Sequence, residues 1–241
     1  MPIPESQFET WSHQGAVATA RATHESIRQA LSVIRSPLSG RGFEVYLQGS
    51  YKNDTNIRGD SDVDVVVQLN DTFGYDLSSL DEQQKNLFKS AYPENATYNW
   101  ENFRTDVCVA LRNHFGGGAV SEGNKSLKLA AVRGGLRADI VPAIHFRKYL
   151  HFYGASSQRY VDGIRFWSRK EGRAIINFPK SHYENGVVKN STNWTNGWFK
   201  PAVRAFKNAR TYAVDRNLLA AELAPSYFVE CMLYNVPDTA F

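Results

Sequence analysis

Residues 62 to 67, Asp-Val-Asp-Val-Val-Val, restrict this chain more than any other segment. Four β-branched valines demand an extended backbone, and in a strand residues i and i+2 face the same way. Asp62 and Asp64 are therefore expected to project side by side. Two adjacent carboxylates repel unless a cation lies between them, and a divalent ion held in this way can share its remaining positions with a triphosphate. Asp60-x-Asp62-x-Asp64 also imitates the start of a calcium-binding loop. That loop needs a glycine next and a glutamate at its end, where this chain has Val65 and Asp71.

The preceding segment supplies a complement. Residues 43 to 48 alternate as a strand, and Gly49-Ser50 follows, where a residue without a β-carbon lets backbone approach a ligand. Ser50 can offer its amide and hydroxyl to phosphate oxygens. A polar loop from Tyr51 to Ser61 then leads into the valine strand. Clamping the attacking and leaving oxygens of a displacement with two ions needs a third carboxylate. The best candidate is Asp139, in the strand pattern Gly135-Leu-Arg-Ala-Asp-Ile-Val-Pro142, which Pro142 is expected to end. Asp106, in the strand-like stretch Thr105 to Leu111, is the runner-up.

Residues 5 to 35 read as one long helix with Phe8, Trp11, Ala18, Ile27, Leu31 and Ile34 as its buried stripe. Strands are expected at 43–48, 63–69, 105–112 and 135–141, a helix from Asp81 to Ala91, and a hairpin loop at Gly116–Asn124. Beyond about residue 155 the pattern turns helical and aromatic. Pro201 suits the first turn of a helix running to Asp215, with Phe199, Val203 and Phe206 as its apolar stripe. Lys200, Arg204 and Lys207, spaced four and three apart, form a basic face able to meet a triphosphate.

These residues resemble the nucleotidyltransferase superfamily with the DNA polymerase β-type fold. Gly49-Ser50, the gap to Asp62-Val-Asp64 and a later strand aspartate make that signature. Within it the chain is most similar to the cGAS/DncV-like nucleotidyltransferases, bacterial cyclic-oligonucleotide synthases of anti-phage defence. The cues are Gln48-Gly-Ser50, Thr55, Arg58, Ser61-Asp-Val-Asp64, Ala138-Asp-Ile-Val-Pro-Ala143, Phe199-Lys-Pro to Arg210 and Pro225-Ser-Tyr-Phe228. The resemblance implies an α+β fold: a polymerase β-like core of mixed sheet and long N-terminal helix over residues 1–155, packed on a helical lobe over 156–241. It implies Asp62, Asp64 and Asp139 as catalytic ligands of two magnesium or manganese ions. Gln48, Gly49, Ser50, Lys207, Ser226 and Tyr227 are then the nucleotide-binding residues, with Lys207 and Ser226 on phosphates and the Tyr227 ring stacked on a base. A ribose hydroxyl would attack the α-phosphorus of ATP, GTP, UTP or CTP, and pyrophosphate would leave. Repeated transfer gives a cyclic di- or trinucleotide; a single transfer onto RNA, protein or a small molecule, and an inactive sensor, are the alternatives. Family members usually continue past the position of Phe241 with more helices. Regulatory or effector proteins of a defence system are the implied partners, and the zinc-bearing insertion of the animal DNA sensors is missing.

Composition agrees. Two cysteines, Cys108 and Cys231, are too few for a disulfide scaffold, and the absence of a signal or spanning segment points to a soluble, cytoplasmic protein. From Lys125 to Arg173 there are eleven Lys and Arg against three acids, within a chain of formal charge +4. Such a basic middle suits an anionic substrate. No aromatic-interleaved basic ladder marks a nucleic-acid groove.

Overall fold

A computed structural model describes residues 3–57, 62–131 and 134–241. Arg58 and Ser61 of the sequence signature lie outside these described residues. The chain divides into two compact units, one of Arg21–Gln48 and Asp62–Ser181, the other of Met1–Ala20, Gly49–Ser61 and His182–Phe241.

The first, the sheet unit, is built on a mixed sheet. β1 (Phe43–Leu47) pairs antiparallel with β2 (Val63–Asp76), and β2 runs parallel to β5 (Ala138–Gly154). Beyond β5 lie β4 (Leu127–Leu129) and β3 (Val120–Glu122), while β6 (Ser157–Trp167) pairs further along β5 and carries β7 (Ala174–Asn177). Val63, Val65, Val67 and Leu69 of β2 are fully buried, together with Ile140 of β5. That leaves Asp64 on the opposite face, as strand alternation requires. Helices α2 (Ala18–Leu31), α4 (Glu82–Ala91) and α5 (Trp100–Phe115) complete most of this unit. Asp81 caps α4 by accepting the Gln84 amide hydrogen at 2.8 Å.

Several expectations need correction. Residues 105–112 form no strand but part of α5. The alternating β-branched residues Thr105, Val107 and Val109 suggested period two, yet Trp100, Phe103, Arg104, Val107, Cys108 and Leu111 are buried with helical spacing. A capping box between Asn99 and Asn102 fixes where the helix begins. Asp106, the alternative third carboxylate, consequently sits on α5 and accepts the Tyr98 hydroxyl. Pro142 does not end β5. Its register partner on β2 is Val67, and on the other side it falls between the last residue paired to β4, Ile140, and the first paired to β6, Ile144. The Trp100 indole nitrogen donates to the Pro142 carbonyl at 2.7 Å in that break. No neighbouring strand needs the proton that proline lacks.

The stretch beyond 155 opens with strands β6 and β7 rather than helix, because Tyr160, Val161 and Ile164 continue the pairing against β5 and Phe166 pairs with Ile175 of β7. Residues 116–124, expected as loop, hold a 3-10 turn at Gly117–Ala119 followed by β3. The long first helix is two, α1 (Glu5–Ser12) and α2, separated where Gly15 donates its amide hydrogen to the Asn56 carbonyl. On α2 the buried side is Ala20, Thr23, Ile27, Ala30 and Leu31; Ile34 is exposed, and so is Ala18.

The second, helical unit contains α1, α3 (Gly49–Asn53), most of α6 (Pro179–Lys189), α7 (Thr192–Thr195), α8 (Phe199–Asp215) and α9 (Ser226–Tyr234). Phe199 and Val203 of α8 pack on Val229 and Leu233 of α9. The expected stripe is altered at its third member: Phe206 faces outward at 55% exposure, while the neighbouring Lys207 is buried. Among the described residues, no helix is long and apolar enough to cross a membrane.

Candidate active site

The parallel pairing of β2 with β5 places Asp64 in register with Asp139, and the antiparallel pairing of β5 with β4 places Lys128 opposite Asp139 on the other side. Residues in register point to one face, so Asp64, Asp139 and Lys128 form a row across three strands. Ser126, in the turn before β4, donates its hydroxyl to an Asp139 carboxylate oxygen at 3.2 Å. Burial pushes the Asp64 carboxyl up to about 6, and the charges of Asp139 and Asp62 add to the effect. This carboxylate has lost water and gained negative neighbours. Both changes favour a cation beside it.

Asp62 lies one residue before β2. Its carboxylate accepts the Arg137 Nε hydrogen at 2.8 Å, in an ion pair whose side chains are largely exposed. The carboxylates of Asp64 and Asp139 are thus brought together by the sheet, whereas that of Asp62 is engaged by arginine. Among the described residues, no three His, Cys, Asp or Glu side chains form a ready-made metal cage. The donor set nonetheless fits magnesium or manganese, since such ions are commonly held by one or two carboxylates plus substrate phosphates.

The other expected site residues fall at the entry to α3 and in the helical unit. Gln48 closes β1, its backbone N–H donating to the Asp64 carbonyl at 2.9 Å. Gly49 takes the left-handed conformation with φ +64°, which only glycine adopts without strain, and opens α3. Ser50 follows, and its carbonyl accepts the Thr55 amide hydrogen at 2.9 Å, closing the turn after α3. The basic residues of α8 hold this turn. Lys200 pairs with the Asp54 carboxylate, Arg204 donates to the Asp54 carbonyl and to the Ser12 carbonyl, and Lys207 donates to the Thr55 hydroxyl. Lys207 also pairs with Glu230 at 2.9 Å, both side chains being buried. Ser226 is the first residue of α9, and the exposed Tyr227 ring meets His182 edge-on.

Sequence reasoning overlooked Ser126 and Glu230. Nothing in the local pattern announces Ser126, whose role depends on a hairpin bringing it to Asp139. Glu230 did carry a signal: it is the one charged residue of α9, Ser-Tyr-Phe-Val-Glu-Cys-Met-Leu-Tyr, and a lone acid in an apolar helix needs a partner. Within the basic stretch from Lys125 to Arg173, Arg137 pairs with Asp62, Arg169 with Glu122 and Arg173 with Glu171.

The sequence profile of the cGAS/DncV-like nucleotidyltransferase C-terminal helical domain matches residues 184–241, and that of the nucleotidyltransferase domain matches residues 27–96. A cyclic UMP-AMP synthase of Rhodothermus marinus (strain SG0.5JP17-172) is 50% identical over 241 residues, which is 100% of this chain and 79% of the relative. The cyclic nucleotide synthase CdnE01 of Staphylococcus haemolyticus is 39% identical, again over 100% of this chain and 79% of its own length. The solved structure of Rhodothermus marinus CdnE c-UMP-AMP synthase with Apcpp and Upnpp superposes with a TM-score of 0.87 at 49% identity, covering 100% of this chain and 77% of that one.

Proposed function

Because the chain belongs to the cGAS/DncV-like nucleotidyltransferases, we propose that it joins nucleoside triphosphates, ATP among them, into a cyclic di- or trinucleotide messenger of bacterial anti-phage signalling. It is a nucleotidyltransferase by membership, and its relatives are cyclic nucleotide synthases. The observation that carries the reading further is the register of Asp64 with Asp139 across β2 and β5, with the Asp64 carboxyl raised to about 6.

In this reading two magnesium or manganese ions, when bound, neutralise phosphate charge and acidify the incoming ribose hydroxyl. Asp62, Asp64 and Asp139 would hold them, Asp62 in exchange for its Arg137 contact. Asp139 takes the proton of the attacking hydroxyl, whose oxygen bonds to the α-phosphorus as the bond to the β-phosphate oxygen breaks and pyrophosphate departs. Gly49 and Ser50 receive the phosphates through backbone N–H groups and the serine hydroxyl, and Gln48, whose N–H is held by Asp64, offers its side chain. Ser226 and Lys207 bind phosphate, Lys207 only on giving up one of its contacts to Thr55 and Glu230, and Tyr227 stacks on a base. A second transfer in the same site closes the ring. Regulatory and effector proteins of the defence system would act on the enzyme and its product.

Incubation with labelled triphosphates and magnesium, followed by phosphatase treatment and thin-layer separation, tests the reading. A phosphatase-resistant product formed without added acceptor is expected, and it should disappear with a chelator or in the double variant Asp62→Asn, Asp64→Asn. Wild-type rates of pyrophosphate release in that double variant would refute the assignment. A label transferred only to an added acceptor would replace cyclisation by single transfer.

A further inference from the structure

The Glu230 carboxylate gathers four donors from separate segments of the helical unit. Thr55 donates its hydroxyl at 3.0 Å and Asn53 its side-chain amide at 3.3 Å, while Lys207 approaches at 2.9 Å and His182 Nε2 at 3.1 Å. Asn53 is the last residue of α3, Thr55 closes the following turn, His182 lies on α6, Lys207 on α8, and Glu230 itself on α9. With Glu230 only 6% exposed, water cannot substitute for these contacts. Burial alone would raise this carboxyl, but the His182 hydrogen bond and the Lys207 charge outweigh it and bring the group down to about 2.

The donors are not arbitrary neighbours. Asn53 ends the short helix that begins at Gly49 and Ser50, and the Thr55 amide hydrogen bonds back to the Ser50 carbonyl. Lys207 ties the same turn to Glu230, with its buried ammonium on the Thr55 carbonyl, the Thr55 hydroxyl and the carboxylate. Ser226 is one helical turn before Glu230, and His182, bonded to Glu230, has its ring against Tyr227 at 5.3 Å. Each proposed nucleotide contact of the helical unit is therefore one bond, one ring contact or a few residues from a single carboxylate.

We propose that Glu230, with Lys207 as its buried counter-charge, is the positioning residue of the nucleotide-binding half-site in the helical unit: it sets Ser50 and the start of α9 in the geometry that receives a nucleoside triphosphate, without touching the substrate. This rests on the proposed synthase reading. Glu230 fixes the conformation of the Asn53–Thr55 turn, directly and through Lys207, so its removal acts on binding rather than on the transfer step.

The test compares Glu230→Gln with wild type, using magnesium and the non-hydrolysable ATP analogue Apcpp in calorimetry and labelled triphosphates in turnover. The expected result is at least about a tenfold loss of Apcpp affinity and a matching rise in KM, with kcat changed less than about threefold. Val203→Ala, which cuts into the apolar core of the same helix, serves as control: its melting temperature falls while Apcpp affinity holds within about twofold. Equal loss of affinity in both variants at equal loss of stability would reduce Glu230 to a structural role and overturn the proposal. So would wild-type affinity in Glu230→Gln. Should that variant fail to fold, Thr55→Val removes one donor and leaves the Lys207 pair; about threefold weaker binding is expected, and unchanged binding overturns the idea. A wild-type protein that releases no pyrophosphate defeats the synthase reading itself, whereas an active wild type with an equally tight Glu230→Gln defeats only the role of Glu230.

Discussion

Two carboxylates withdrawn from water, one in each unit, have opposite surroundings. Asp64 on the sheet stands among acids and is pushed up to about 6, whereas Glu230 in the helical unit stands among donors and is drawn down to about 2. The same desolvation acts on both. What differs is the company: Asp139 and Asp62 beside one, Lys207 and His182 beside the other. A carboxylate left in electrostatic deficit is prepared for an incoming cation, while one already satisfied is prepared to hold protein in place.

The sharpest break of this contrast is functional. Asp64→Asn with Asp139→Asn should lower turnover by at least about a thousandfold, since the substituted amides cannot charge-balance a divalent ion or accept the hydroxyl proton. Pyrophosphate release measures it, and circular dichroism should show the sheet intact. In the helical unit the corresponding change costs stability. Lys207→Met leaves Glu230 buried without its cation, for which urea denaturation should show a loss of about 3 kcal/mol. Pairing it with Glu230→Gln should recover much of that loss, because removing both partners avoids the stranded charge. If Lys207→Met alone is neutral, the two carboxylates do not differ as argued.

The two regions also differed in how far the sequence disclosed them. The valine strand with its aspartates was legible because period two and β-propensity agree there, and Asp139 was found because a two-ion site needs a third carboxylate and residues 135–142 offer one in an apolar strand pattern. Their adjacency was not legible, since register across parallel strands depends on the sheet and not on local pattern. α5 was misread where Thr105, Val107 and Val109 imitate alternation, although Phe103, Val107 and Leu111 hold the helical period. On α8 the basic residues were recognised, but not their occupants. Lys200, Arg204 and Lys207 clasp the 54–55 turn, and a helical wheel cannot reveal a loop more than a hundred residues away in sequence.

Acidity separates the carboxylates a second way. The folded protein holds the Asp64 proton more tightly than the unfolded chain, so between the ordinary value of 3.8 and about 6 the native state binds more protons. Stability contributed at this position therefore falls as pH rises through that window, and the penalty is complete above it. In chelator, Asp64→Asn should exceed wild type by about 2 kcal/mol at pH 7.5 and match it near pH 4, as read by urea denaturation across pH. Magnesium should narrow the gap by stabilising the ionised wild type. Glu230 has the reverse sign: its contribution is present above the ordinary value of 4.5 and is lost as pH falls toward about 2. A pH-independent advantage for Asp64→Asn would remove electrostatic deficit as its cause.

The smallest expected effect concerns Asp62, which belongs to neither extreme because Arg137 meets it in solvent, with side chains 67% and 48% exposed. Ion pairs of this kind contribute little, so Arg137→Gln should alter stability by less than about 0.5 kcal/mol. Its consequence should appear in metal dependence instead. With the guanidinium gone, Asp62 no longer exchanges a partner to join Asp64 and Asp139, and the magnesium concentration for half-maximal turnover should fall about two- to threefold. A magnesium requirement that rises instead would mean that Arg137 orients Asp62 toward the ion rather than holding it in reserve. Asp62 would then resemble Glu230, a carboxylate whose partner fixes its geometry, more than it resembles Asp64.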